Sequence, residues 1–435
     1  MKSDPITASA SLHTRMARVE PLRALHYDLA VTGGLAPVIS PPYDVIDAAQ
    51  RAELLRRSPN NIVEIDLPIG DTPYDDAAET LDRWISDGVL VRDDQPAIWA
   101  VEQRYSAPGS GEQLIRRGFL ARISVEQYGE GRIRPHERTH AGPKEDRLRL
   151  TRATGANLSP IFALYSDPSG IATGTLEAVA SSDQPWDEVM TDDGALTKMW
   201  RVTDARLVAA ICESASESEL LIADGHHRYE TARVFSEEAD APAGSSHLLA
   251  YLVALEDPGL VVFPTHRLVG GLSEDQWRAL DVAIAEHFDR VQLDSPSEPT
   301  GDSGAGVEIA FVDSRDGSTS LLRLRDPASA KAALPDRSDA YRELDTGVLE
   351  ALILHEALGL DEQRIDHLDG FGYARDLDAA VAGVLDGEWD AAFLMGSTPV
   401  SRIRAIASAG ENMPPKSTYF FPKIPTGLLI NPLGE

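Results

Sequence analysis

The order of apolar runs along the chain predicts an α+β protein, because strand-like and helix-like segments follow one another without the regular βα alternation of a parallel sheet. Two further observations agree. A chain of 435 residues exceeds one ordinary core and suggests two parts. A composition of 43% hydrophobic and 25% charged residues is that of a globular protein.

Taken in order, residues 1–17 are small and polar and predict a disordered start. Residues 62–67 alternate apolar and acidic side chains, the pattern of a strand. Residues 74–88 place Ala77, Leu81, Trp84 and Ile85 on one helical face, and Gly88 stops that helix. Residues 98–105 and 118–125 predict a hairpin joined by the turn-rich residues 107–112. Residues 130–160 open with few apolar side chains and many Arg, His, Gly and Pro, the profile of a functional loop. Residues 220–223 predict a buried strand, Asp224-Gly225 a sharp turn, and residues 226–238 a helix with Tyr229, Ala232, Val234 and Phe235 for packing. Residues 294–306 carry Pro, Gly and Ser throughout and read as a linker or long loop. Beyond them, residues 307–312 and 319–324 predict strands and residues 344–358 a helix.

Seventy acidic against 40 basic residues leave a net charge of −30, a field that disfavours nucleic acid and anionic membrane and also serves solubility. The single Cys212 excludes an internal disulfide and a multi-cysteine metal site, and its apolar surroundings at 207–211 place it in a core. No run approaches the ~18 apolar residues that cross a bilayer, and no signal peptide is evident, so a cytoplasmic location is expected.

The chemistry concentrates at Asp224-Gly225-His226-His227-Arg228. The N-terminus of the predicted helix offers unpaired N–H groups and the positive end of its dipole. Gly225 lets the backbone come close to a ligand, and Arg228 adds donors suited to phosphate. His226 and His227 would donate to phosphate oxygens or act as general acid or base. The plain alternative is an ordinary helix start with Asp224 as N-cap and two surface histidines.

A second cluster, His136-Glu137-Arg138-Thr139-His140 with Lys144 and Arg147, contains the zinc-protease spacing His136 to His140. Pro135 and the Gly142-Pro143 pair leave that motif under two helical turns, which favours instead a loop with Glu137 as magnesium ligand or base and Lys144 and Arg147 as phosphate partners. Solvated ion pairs are the plain alternative here. Ser40-Pro41-Pro42-Tyr43-Asp44 predicts a stiff turn presenting Tyr43 and Asp44 to a cleft, or simply a capped structural turn. Residues 263–267 repeat a His-Arg pairing, a weaker phosphate candidate. Residues 413–423 hold Lys416 and Lys423, two of the six lysines, so either would reach an anionic substrate or merely flank an apolar strand.

Together and in this order, the segments at 41–46, 135–148, 223–232, 263–267 and 413–423 resemble the DUF1015 family over nearly the whole chain. More distantly, Ala223 to Arg228 is similar to the phosphate turn of the ParB and sulfiredoxin superfamily, and above all to the Asp-Gly-His-His-Arg segment of its free serine kinases. The resemblance implies a ParB/sulfiredoxin-like phosphate-binding core over 18–270 and a C-terminal α+β part over 271–435 that completes the cleft. It implies that Asp224, Gly225, His226, His227 and Arg228 hold the polyphosphate of ATP or ADP, with Lys144, Arg147 and Lys416 neutralising the rest. Glu137 would hold Mg2+, and Asp44 or Glu137 would take the proton of a small hydroxyl substrate. A histidine where sulfiredoxin carries its reactive cysteine excludes sulfinic acid reduction, and no basic recognition helix follows residue 270. The expected activity is a magnesium-dependent phosphotransferase acting on a small metabolite such as an amino acid, with the oligomeric state left open to a homodimer. Its rivals are a nucleotide-hydrolysing switch protein and a zinc hydrolase built on His136 and His140.

Overall fold

The computed structural model describes residues 17–128, 131–137, 141–299 and 306–434. Residues 1–16 of the expected disordered start and residues 300–305 of the linker expected at 294–306 lie outside the described residues.

Residues 248–254 are apolar almost without interruption, as expected of a strand covered on both faces. They form strand His247–Ala254, in which every residue after His247 is buried. Leu249, Tyr251 and Val253 join one core, and Leu248, Ala250, Leu252 and Ala254 join another, as a two-residue period dictates. This strand lies inside a nine-stranded sheet ordered Ile133–Arg134, Leu220–Asp224, Ile161–Tyr165, His247–Ala254, Gln113–Ser124, Ile98–Ser106, Leu196–Val202, Asp187–Met190, with Val19–Glu20 also paired to Gln113–Ser124. The strands at 98–106 and 113–124 are the antiparallel hairpin expected from the sequence.

Helices cover both faces. Ile171–Ser182, Ala205–Ser216 and His226–Ser236 share a core with one face. Helix Pro73–Ser86 packs on the other with Ala77, Leu81 and Trp84, whereas Ile85, expected on the same stripe, stays 42% exposed. Among the described residues, no helix is long and apolar enough to cross a membrane.

A six-stranded antiparallel sheet follows, ordered Phe288–Leu293, Thr319–Leu324, Glu308–Asp313, Ala391–Leu394, His266–Val269, Phe371–Ala374. Its first strand in the chain begins before the expected boundary at 270. The tail then returns to the first sheet's side: Tyr419–Phe420 pairs with Val262–Phe263, Thr426 bridges Ser40, Ile430 bridges Leu25, and Asn431–Pro432 pairs with Ala156–Asn157.

Three expectations need correction. Residues 62–67 contain a short helix, Val63–Asp66, not a strand. Asn61 forces it, because its amide clamps the carbonyls of Pro37 and Ile39 while its Oδ1 accepts the N–H of Val63. The loop expected over 130–160 becomes helix Ala141–Thr154 from its middle onward, with Leu148 and Leu150 buried beneath it. Of the helix expected over 344–358, residues 345–355 are helical, and their second half, Glu350–His355, is π-helical.

Candidate functional site

The strand Leu220–Asp224 loses its register at the end. Ile222 faces Ala163, yet Asp224 faces Phe162, and such an irregularity re-aims the terminal side chain. Gly225 follows at φ 90°, a left-handed conformation that suits glycine, and opens helix His226–Ser236 with no side chain capping it. A Cβ at Gly225 would lie 3.0 Å from Ile161 Cγ2 and 3.0 Å from the Arg228 guanidinium.

Asp224 is therefore not the N-cap of the plain alternative. Its carboxylate accepts from Arg228 Nη2 at 2.9 Å and from Lys423 Nζ at 2.5 Å, while Arg228 Nη1 donates to the carbonyl of Pro160. Burial by itself would raise the Asp224 carboxyl, but Lys423 and then Arg228 outweigh it and hold it well below the usual carboxylate range. Two cations from distant parts of the chain thus meet at the positive end of one helix, with a single carboxylate between them.

His226 on this turn is not a surface residue. It is 4% exposed and packs against His136 of the 131–137 segment, 1% exposed, their rings edge to face at 4.7 Å. His136 Nδ1 lies 2.7 Å from the carbonyl of Ile222, which only an N–H can satisfy, so Nε2 accepts from Thr418 Oγ1 at 2.9 Å. The backbone N–H of His136 donates to His226 Nε2 at 3.3 Å, which puts the His226 proton on Nδ1, 3.9 Å from Glu137 Oε2. Burial is the main cause that lowers both: His136 falls to about 4, and His226 falls well below its ordinary value with His136 adding to the effect. Both rings are neutral at pH 7. His227 is half-buried on the first helical turn.

Tyr43 and Asp44 lie on a short 3-10 turn after the two prolines, Tyr43 half-buried and Asp44 exposed. The Arg147 guanidinium stacks 4.3 Å over the Tyr43 ring. Arg147 was expected to meet phosphate; it instead donates to Asp146 at 2.9 and 2.7 Å and to the Asp66 carbonyl at 2.6 Å, so its fork is occupied by protein. Lys144 is half-buried and, after Arg233, helps hold the Glu230 carboxyl below its ordinary value. Lys416 is exposed at φ 57°, and its carbonyl accepts from the fully buried Arg267 at 3.3 Å. Arg267 also donates to Pro415 at 3.0 Å and to Thr265 at 2.5 Å, so it clamps the tail, while His266 Nδ1 accepts from the Met395 N–H at 3.1 Å.

Of the two lysines in 413–423, Lys423 is the one at the turn, and Arg116 puts it there. Arg116 has no exposed surface, donates to Pro422 O at 2.5 Å, Phe421 O at 3.2 Å and Gln103 Oε1 at 2.6 Å, and lies 4.9 Å over the Phe162 ring. Sequence reasoning passed over it, although an arginine at a core-facing position of a hairpin strand is a detectable signal. Asp66 was missed as well. It is 3% exposed, its Oδ1 lies 3.3 Å from Arg147 Nη1, and burial, partly offset by Arg147 and Arg228, raises its carboxyl.

For a metal, Glu137 supplies a carboxylate with 40% of its side chain exposed, beside the helix end. Among the described residues, no group of three or more His, Cys, Asp or Glu is arranged to hold an ion. His140, the second member of the zinc pair, lies outside the described residues, and His136 turns both ring nitrogens to protein partners.

No curated protein matches the chain. Among solved structures it is similar to a conserved hypothetical protein from Pyrococcus furiosus, at 15% identity over 71% of this chain and 93% of that one, TM-score 0.36. It is similar to a free serine kinase in complex with AMP, at 14% identity over 69% and 86% of the two chains, TM-score 0.35. A third is C-terminally truncated SbnI from Staphylococcus aureus, at 11% identity over 70% and 84%, TM-score 0.34. The family model described as protein of unknown function, DUF1015, matches residues 19–347, more than half of the chain, and the chain belongs to that family.

Proposed function

We propose that this protein is a magnesium-dependent phosphotransferase that moves a phosphoryl group from ATP or ADP to a small hydroxyl metabolite such as an amino acid. The observation that carries the reading is the convergence of Arg228 and Lys423 at the uncapped N-terminus of helix His226–Ser236, around Gly225. Backbone N–H groups, a glycine that admits close approach and two cations form an anion site suited to phosphate.

In this reading the first turn, including His226 and His227, supplies donors to the polyphosphate. Arg228 and Lys423 neutralise the group in transfer, and Asp224 keeps both cations aimed. Magnesium fits the donor set as an ion carried in with the nucleotide, since it is commonly held by one or two carboxylates together with phosphate oxygens, and Glu137 is the carboxylate at the turn. When bound, the ion would neutralise charge on the phosphate oxygens. The Nδ1 of the neutral His226 lies 3.9 Å from the Glu137 carboxylate. Asp44, exposed on the turn whose Tyr43 senses the charge of Arg228, would accept the hydroxyl proton. A cytoplasmic location belongs to the same proposal.

The test is binding of ATP and ADP, with and without magnesium, followed by melting temperature, which a ligand raises by mass action. A magnesium-dependent rise that disappears in Arg228→Ala is expected. Binding unchanged in that variant would refute the assignment. Turnover that releases phosphate without phosphorylating any acceptor would favour the switch protein instead.

A further inference from the structure

The Pro41-Pro42 turn and the tail enclose a second feature that the phosphate reading does not use. Between them lies a cleft of about 640 Å³. Its lining includes the apolar Pro37, Ile39, Pro41, Pro42, Val45 and Met190. It also includes Tyr419, Arg375 and Lys423, with the Arg375 guanidinium 4.4 Å over the Tyr419 ring. Lys423 Nζ lies 5.6 Å from that same ring while bonded to Asp224, so one side chain belongs both to the cleft and to the turn at Gly225. Ser40, Gln50 and Thr191 supply polar groups along the lining.

We infer that this cleft takes the base and sugar of the nucleotide whose phosphates meet the turn at Gly225. The inference rests on the phosphate reading above. Its own support is independent of that turn. The volume is in the range of pockets that enclose a whole small molecule, roughly 300–1,000 Å³, and far exceeds what a small hydroxyl acceptor would fill. A planar guanidinium backed by an aromatic ring is a stacking platform for a flat heterocycle, and it tolerates any base. The apolar part of the lining excludes water from a ring bound there.

Calorimetric titration of the full chain separates the two sites. The probes are ATP, CTP and GTP with magnesium, and tripolyphosphate, which has phosphates but no base. Ala36→Trp together with Met190→Trp narrows the cleft from positions that are exposed, Met190 by 61%, so the fold tolerates both. A second variant, Arg375→Ala, removes the platform without filling space. Both should weaken the tightest nucleotide by about tenfold, the scale of one lost base stack, and leave tripolyphosphate within about twofold, well inside that stacking scale. Arg228→Ala should weaken nucleotide and tripolyphosphate alike. Nucleotide affinity unchanged in both cleft variants, with Arg228→Ala still defective, would overturn the inference and keep the phosphate turn. Binding lost in the cleft variants but intact in Arg228→Ala would uphold the cleft and sink the phosphate turn.

Discussion

The bond between Asp224 and Lys423 joins a strand end to the C-terminal tail, and its strength can be measured apart from any ligand. The nitrogen-to-oxygen distance is 2.5 Å, and the two side chains are only 21% and 20% exposed. Two charges about 4 Å apart at an effective dielectric constant of about 20 attract by about 4 kcal/mol. The partial exposure admits solvent screening, and Arg228 shares the carboxylate, so roughly half of that should survive as net coupling. A double-mutant cycle with Asp224→Asn, Lys423→Met and the double variant should therefore show about 2 kcal/mol of coupling. Asparagine keeps the shape, and methionine keeps most of the aliphatic stem. Urea denaturation of the four proteins at low salt is the assay. The sign with pH follows from the Asp224 carboxyl, which the two cations hold below its unfolded value. The coupling should be full at pH 7 and at pH 5, and lost only as pH falls below about 4 toward the folded-state value. A coupling under about 0.5 kcal/mol, the scale of an exposed pair, would refute the claim that this pair anchors the tail at the turn.

Gly225→Ala should cost about 1–2 kcal/mol from its φ of 90° and push Arg228 or Ile161 aside, so melting temperature and nucleotide affinity both fall; unchanged affinity would mean that the backbone here does not approach a ligand. His136 is lowered to about 4 by burial, against about 6.5 in the unfolded chain, so the unfolded state takes up the proton first as pH falls. Stability should decline between those two values by roughly 3 kcal/mol from this residue, with His226 acting in the same direction. Denaturation midpoints at several pH values would show the slope, and His136→Gln should reduce it and leave the share of His226; an undiminished slope in the variant would place its origin elsewhere.

Much of the scaffold is legible in one dimension. The hairpin at 98–124 and the strand, turn and helix at 220–236 announce themselves by period and by glycine placement, because each is a local arrangement of neighbouring residues. Residues 62–67 do not, since their two-residue alternation is overridden by Asn61 reaching the carbonyls of Pro37 and Ile39. The helix Ala141–Thr154 is likewise hidden. Its many charges read as a loop, yet Arg147 is buried by pairing with Asp66 and Asp146, partners a local pattern does not reveal.

The same division runs through the candidate site. The residues 224–228 specify the turn and helix start by themselves, because a glycine in left-handed conformation, a helix start and an arginine one turn on are all short-range chemistry. Which lysine joins them is decided only by the tertiary structure. Lys416 and Lys423 are alike in sequence context, but Arg267 holds the carbonyl of the first, while Arg116 holds the backbone beside the second and leaves its ammonium on Asp224. Those two arginines sit in strands far from the tail in sequence. Their buried charges require partners, and the partners available are the tail carbonyls, so burial and hydrogen bonding across the fold select the lysine that completes the site.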